Sequence, residues 1–249
     1  MLETSEFSRA KVRDEIVYDD YAEEPQLPRR AARLLLLIVA VEAAVVAAAA
    51  LGLSVAVADG LLAAPEILAW AVVLGSVLVL GTIVGFLRAR GAAWTLLGFE
   101  GASRSLWHLL WQIPAIWVCM GIVQALVFMA TADPRGPWAI AWFTEVLSPV
   151  TLAALMVTFV LIIPLWEEMI HRGIIFRGLR GRHPLLRAAL VSGLIFAVVH
   201  ASLLMLIFYA VLGMVLAVVR DVHHNTWASV LAYSGLNAII VADLLLRAV

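Results

Sequence analysis

The chain of 249 residues has one cysteine, Cys119, and one lysine, Lys11. A lone cysteine in an apolar run excludes a disulfide framework and a cysteine-based metal cluster. No charge of either sign dominates: 17 basic and 18 acidic residues leave a formal net charge of −1. The basic excess that nucleic-acid binding requires is therefore missing, and nucleic acid is not an expected partner. Charge is scarce altogether. Only 14% of residues are charged while 64% are hydrophobic, against roughly half apolar in an ordinary soluble domain. One globular core cannot hide that much apolar surface, so a soluble single domain is excluded and a polytopic membrane protein remains. Sixteen arginines beside one lysine, with many alanines, form the composition of a GC-rich bacterial gene. The expected location is the bacterial inner (plasma) membrane, multi-pass, with membrane lipid as a partner.

Residues 1–33 differ from the rest. The stretch "ETSEFSRAKVRDEIVYDDYAEEPQLPRR" is charged, mostly acidic and punctuated by Pro25 and Pro28. It reads as a solvated, disordered tail, and the apolar run after it begins too late and runs too long for a signal peptide. Beyond it, apolar runs cover 34–58, 67–87, 109–131, 149–166, 188–203, 204–219 and 226–246. A span needs about 20 residues, so 188–219 reads as two short helices turning near Ser202. The fold class is all-α, a bundle of seven to eight transmembrane helices. It divides into N-terminal helices over 34–144 and a C-terminal core over 145–247. The segments "TLLGFEGASRSLW" and "WAIAWFTEVLSP" read as amphipathic pieces that lie in the interface or extend neighbouring spans. Arg29, Arg30, Arg33, Arg88, Arg90, Arg177, Arg180, Arg182, Arg187 and Arg220 fall on one side of this topology. By the positive-inside rule that side, and the N-terminus, is cytoplasmic.

The run "WEEMIHRGIIF" (residues 166–176) breaks this apolar pattern. Each charge at mid-bilayer costs about 2.5–3.5 kcal/mol on insertion scales, and such groups face a bundle interior or a wet cavity. Glu168 and Arg172 are spaced i,i+4 with the acid first, the favourable order for a helical ion pair. Glu167 and His171 share a neighbouring face. Glu167, His200 and Asn237 each lie 13 residues from a polar helix end (167 to 180, 187 to 200, 224 to 237), or about 20 Å along an α-helix. Small residues at fourfold spacing, Gly193, Ala197 and Ala201, then Gly213 and Ala217, permit close helix approach. Plainer readings stand beside this one. The two glutamates form a structural ion-pair cluster near the interface, His200 is a hydrogen-bonded core histidine, and Asn237 joins helices. Glu42, in the first span, has no assigned partner.

"EEMIHRG" fits Glu-Glu-x-x-x-Arg, "FAVVH" (Phe196–His200) fits Phe-x-x-x-His, and "NTWASVLAYSGLNAI" is similar to a last motif helix. Over roughly 145–247 the chain resembles the CPBP family, which comprises CAAX prenyl endopeptidases and bacteriocin-processing or self-immunity (Abi) proteins. The resemblance implies an all-helical intramembrane protease acting on a membrane-associated peptide or protein. It implies Glu167 as the general base that activates a water, with Glu168 and Arg172 completing the motif. His200 would position the water or a zinc ion, and Asn237 would stabilise the oxyanion. The family's last motif is His-x-x-x-Asn, and here Tyr233 replaces that histidine. A zinc site would then hold Glu167 and His200, with Tyr233 or His171 as a further donor, or His223 or His224 if their loop folds inward. Phenol is an uncommon zinc ligand, so the departure sets up a second reading: an inactive relative serving as an immunity factor or membrane-complex subunit. A small transporter is a third, opposed by the lack of an inverted repeat or a Gly/Pro-broken helix pair.

Overall fold

The seven long apolar runs are helical in the computed structural model, which describes residues 26–58, 64–99, 101, 106–131, 147–200 and 205–248. The helices are α1 (Arg29–Ala58), α2 (Ala64–Ala89), α3 (Leu109–Thr131), α4 (Pro149–Arg180), α5 (Leu185–Val199), α6 (Leu206–His223) and α7 (Thr226–Ala248). Among the described residues there is no strand. In lipid a helix satisfies its own backbone polar groups, which an open sheet edge cannot do. Among the described residues five helical stretches are long and apolar enough to cross a membrane: Pro65–Ala89, Leu106–Met129, Pro149–Arg180, Leu206–His223 and Thr226–Leu246. Apolar side chains such as Leu37, Val41, Leu74, Leu110, Ile122 and Leu126 are exposed on the bundle surface, where lipid solvates them. The acidic tail as far as residue 25, most of the segment 138–149 and the turn around Ser202 lie outside the described residues.

The first helix already begins at Arg29, inside the stretch read as tail, and the fourth runs from Pro149 through the charged motif to Arg180, the helix end used in the depth comparison. The region 188–219 is two short helices, as its length requires. They pack at a glycine–glycine crossing: a Cβ on Gly193 would lie 2.6 Å from the Ala210 carbonyl oxygen, and one on Gly213 would lie 2.7 Å from the Gly193 Cα. Only hydrogen at both positions permits that approach.

Polar side chains tie α1, α2 and α4 together. Glu42 accepts a hydrogen bond from the Thr82 hydroxyl at 3.1 Å, which gives this acid a partner on α2. Trp70 Nε1 donates to Thr151 Oγ1 at 3.1 Å. The Glu66 carboxylate accepts from the Ser148 backbone N–H and the Thr151 hydroxyl. It thus holds the N-terminus of α4, where unsatisfied N–H groups and the helix dipole favour an anion.

At the opposite, arginine-rich end, the segment expected to be amphipathic is folded inward. Trp94–Leu97 form a 3₁₀ turn, Gly98 has φ +76°, and Leu97 and Phe99 are buried. Thr226 clamps the turn through Oγ1 to the Leu97 carbonyl (2.7 Å) and N–H to the Gly98 carbonyl (2.9 Å). Arg177 donates to the Leu96 carbonyl at 3.0 Å. A side chain at Gly98 would meet Thr226 Oγ1 at 2.8 Å, besides the strain of its left-handed backbone. Arg177, Arg180 and Arg220, read from the sequence as topology markers, are themselves buried, and Arg180 pairs with Asp221 at 2.9 Å.

Candidate active site

The site is built on α4, which is not a regular α-helix. Residues Thr158–Ile162 and His171–Phe176 are π-helical, on either side of the glutamate pair. In a π turn the bond runs i→i+5, and such bulges recur at functional sites. A wider turn also rises less per residue, so Glu167 stands closer to the arginine-rich end than 13 residues of α-helix would place it.

Glu168 and Arg172 form the i,i+4 pair that their spacing predicts, NH1 to Oε1 at 2.5 Å with both side chains fully buried. Arg172 also donates from NH2 to the Gly213 carbonyl at 2.8 Å, and its guanidinium lies 4.8 Å from the Phe196 ring centroid. One side chain therefore joins α4, α5 and α6. The Ser229 hydroxyl of α7 donates to the Thr226 carbonyl of its own helix at 3.0 Å. The Glu168–Arg172 pair lies beside Glu167 on α4.

Glu167 points to a different set. Its Oε1 is 3.8 Å from His200 Nε2, and the two side chains keep 10% and 16% exposure, so the pair is not sealed. His200 ends α5, and its Nδ1 is 2.7 Å from the Phe196 carbonyl oxygen. A carbonyl can only accept, so Nδ1 carries a proton. In the neutral ring Nε2 then offers a lone pair toward the carboxylate. Phe196, fully buried, packs at 4.4 Å against His200 and 4.9 Å against His171. The expected proximity of Glu167 and His200 is present.

On α7, Tyr233 is buried, with its ring 6.1 Å from that of Phe196. Asn237, one turn further on, faces a different group. Its Nδ2 donates to the Phe159 carbonyl at 2.8 Å, and no hydrogen bond among the described residues joins it to Glu167 or His200. The reason lies in α4. In the π segment the Ile163 N–H bonds the Thr158 carbonyl, so the Phe159 carbonyl looks to residue 164. That residue is Pro164, which has no N–H. Asn237 supplies the missing donor. Tyr209 of α6 was not singled out by motif reading. Its ring stacks on His200 at 4.0 Å and 24°. The available signal was its place one turn before Gly213, on the face that meets α5.

His171 is buried against Phe196, and His223 bonds Gln112 at 3.0 Å at the end of α6, facing His108 rather than Glu167. Neither completes a metal set. Among the described residues no three His, Cys, Asp or Glu side chains are placed to hold a metal ion. Catalytic zinc takes three protein ligands, and Glu167 with His200 provides two. A separate cleft of about 520 Å³ opens between Gln26–Ala32 and the Gly173–Arg182 stretch, with Arg29 and Arg182 on its walls.

Part of the chain is similar to known membrane peptidases. Residues 149–239 match the family described as type II CAAX prenyl endopeptidase Rce1-like. The match begins where α4 begins and ends just past Asn237. The protein described as "Putative membrane peptidase YdiL" of Bacillus subtilis (strain 168) is 27% identical over 139 residues, 53% of this chain and 55% of that protein. The chain thus spans about half the length of that curated relative. No solved structure matches the chain. The two sequence matches agree with the motif resemblance.

Proposed function

We propose that this chain, matched to the Rce1-like family over 149–239, is an intramembrane endopeptidase that hydrolyses a membrane-associated peptide or protein. The observation that carries the reading is the Glu167–His200 pair. Oε1 and Nε2 are 3.8 Å apart, too far for a direct hydrogen bond, and both are acceptors because Nδ1 is held by Phe196. A water bridging them donates one hydrogen to each and keeps a lone pair for a scissile carbonyl carbon. Glu167 takes a proton as the water attacks and returns it to the leaving nitrogen, the roles of a general base and then a general acid. Glu168 and Arg172 hold the helix that aims Glu167, and Phe196 and Tyr209 fix the His200 ring. Zinc is not needed for this sequence of steps, and the donor set supports none through it. We place the protein in the bacterial plasma membrane with its N-terminus and arginine-rich end cytoplasmic.

The test is cleavage by the purified full-length protein in detergent of a library of hydrophobic peptides, with new termini read by mass spectrometry. Wild type is expected to cleave and Glu167→Gln to leave the library intact. Equal cleavage by both would remove Glu167 from the chemistry. A second reading, an inactive family member acting as an immunity factor or complex subunit, is favoured by Tyr233 in place of the motif histidine. It predicts no cleavage by either protein.

A further inference from the structure

The geometry points to the cleft between α1 and α4 as a binding site for the phosphate of an anionic phospholipid headgroup, held between Arg29 and Arg182. The two arginines come from the two walls of a cavity of about 520 Å³, a volume in the range of small-molecule sites. Both are exposed, and among the described residues neither is ion-paired. No residue lining the cleft is an Asp or Glu, so its positive charge has no counter-ion in its own walls. Arginine presents a planar fork of donors that matches phosphate oxygens two at a time. A phosphate between Arg29 and Arg182 can therefore take bonds from both walls at once.

The wall formed by α4 is shaped for an occupant. Ile174 and Gly178 are four residues apart, share a helix face and both line the cleft. Arg177 and Arg180 are buried, against the Leu96 carbonyl and Asp221. Glycine within a helix is unfavourable, and at Gly173 packing explains it: a Cβ there would lie 2.9 Å from the Leu97 carbonyl oxygen. At Gly178 packing gives no such reason, since a Cβ would meet nothing within 4 Å. A side chain at 178 would instead grow into the cleft.

Depth identifies the source of the phosphate. Leu34 is exposed on α1 five residues after Arg29, about 7.5 Å of helix, and Leu37 and Ile38 are exposed beyond it. Arg29 thus stands about one headgroup layer, roughly 5–8 Å, above lipid-facing surface. Leu27 and Ile174 make part of the wall apolar, which suits a lipid better than free phosphate. A zwitterionic headgroup would carry its own cation to two arginines with no acid beside them, whereas an anionic one would not. Basic pockets between membrane helices on the cytoplasmic side hold anionic headgroups in this way.

The experiment uses the purified full-length protein in a neutral detergent. Native mass spectrometry and the melting temperature read the binding of phosphatidylglycerol, phosphatidylcholine and inorganic phosphate. Phosphatidylglycerol is expected to bind at least about tenfold more tightly than phosphatidylcholine, and Arg29→Gln/Arg182→Gln to weaken it by about 30-fold. Gly178→Leu should weaken it as well, with charge unchanged and the lipid-free melting temperature close to that of wild type. Arg30→Gln/Arg187→Gln removes equal charge from exposed positions outside the cleft and should change the affinity by less than about threefold. Equal affinity for the two lipids, equal loss in the two arginine pairs, or wild-type affinity in Gly178→Leu overturns the site. Inorganic phosphate binding more tightly than phosphatidylglycerol overturns the lipid assignment in favour of a soluble phosphate. Replacing Asp19, Asp20, Glu23 and Glu24 by their amides should leave the affinity unchanged. A gain of about tenfold would make the acidic stretch before Gln26 the occupant and overturn the lipid. These readouts involve no cleavage, so they stand apart from the test of Glu167.

Discussion

His200 Nε2 stands 3.8 Å from Glu167 Oε1 while Nδ1 of the same ring lies 2.7 Å from the Phe196 carbonyl oxygen. The backbone of α5 thus sets the tautomer and turns a lone pair toward the acid. His200→Ala is expected to lower kcat by about 10²–10⁴-fold, the usual worth of a positioned proton-transfer group. The ring keeps some exposure at a helix end, so the melting temperature in detergent should stay close to that of wild type. A large fall in melting temperature with little loss of kcat would make His200 a packing residue instead.

Arg172 carries a different expectation. Removing one member of a buried ion pair leaves an uncompensated charge and costs about 3–5 kcal/mol. Arg172→Met should therefore unfold much more readily than wild type, and Glu168→Gln/Arg172→Met should recover a good part of the loss. Chemical denaturation followed by tryptophan fluorescence reads both. A double variant no more stable than Arg172→Met would show that the hydrogen bond to Gly213 and the Phe196 contact matter more than the charge pair.

Asn237 separates a structural role from a chemical one. Asn237→Ala leaves the Phe159 carbonyl without a donor in a buried place, a loss of about 1–3 kcal/mol. Its stability should fall by that amount while kcat per folded molecule falls far less than in Glu167→Gln. A loss of kcat as large as that of Glu167→Gln at unchanged stability would give Asn237 a chemical role.

Adding a ligand probes the donor set from the other side. Tyr233→His supplies a second imidazole beside Glu167 and His200, making a His₂Glu set of the kind that holds catalytic zinc. Metal analysis of the purified proteins should show zinc retained by Tyr233→His and not by wild type. Equal zinc content in the two would mean that position 233 lies off the ligand sphere.

Much of this architecture was legible in residue order. Charges in an apolar run marked α4 as special, the i,i+4 spacing gave the Glu168–Arg172 pair, and small residues at 193 and 213 marked the α5–α6 contact. Three features were not legible. The π segments of α4 follow from how Pro164 and the surrounding helices share backbone bonds, and they leave the Phe159 carbonyl to Asn237. The inward fold of Leu97–Phe99 depends on Thr226, which is 129 residues away from Leu97 in sequence. Arg177 and Arg220 served only as topology markers in the sequence, yet both are buried, Arg177 against the Thr95 and Leu96 carbonyls of a distant segment.

The Glu167–His200 pair is the centre of the account, and one comparison tests it most directly: the cleavage rate of a single defined peptide by wild type and Glu167→Gln at matched folded concentration. The glutamine side chain preserves shape and hydrogen bonding but is no base. The account predicts at least a hundredfold loss, about 2.7 kcal/mol at 1.36 kcal/mol per tenfold, with unchanged melting temperature. Cleavage by Glu167→Gln at the wild-type rate would contradict it.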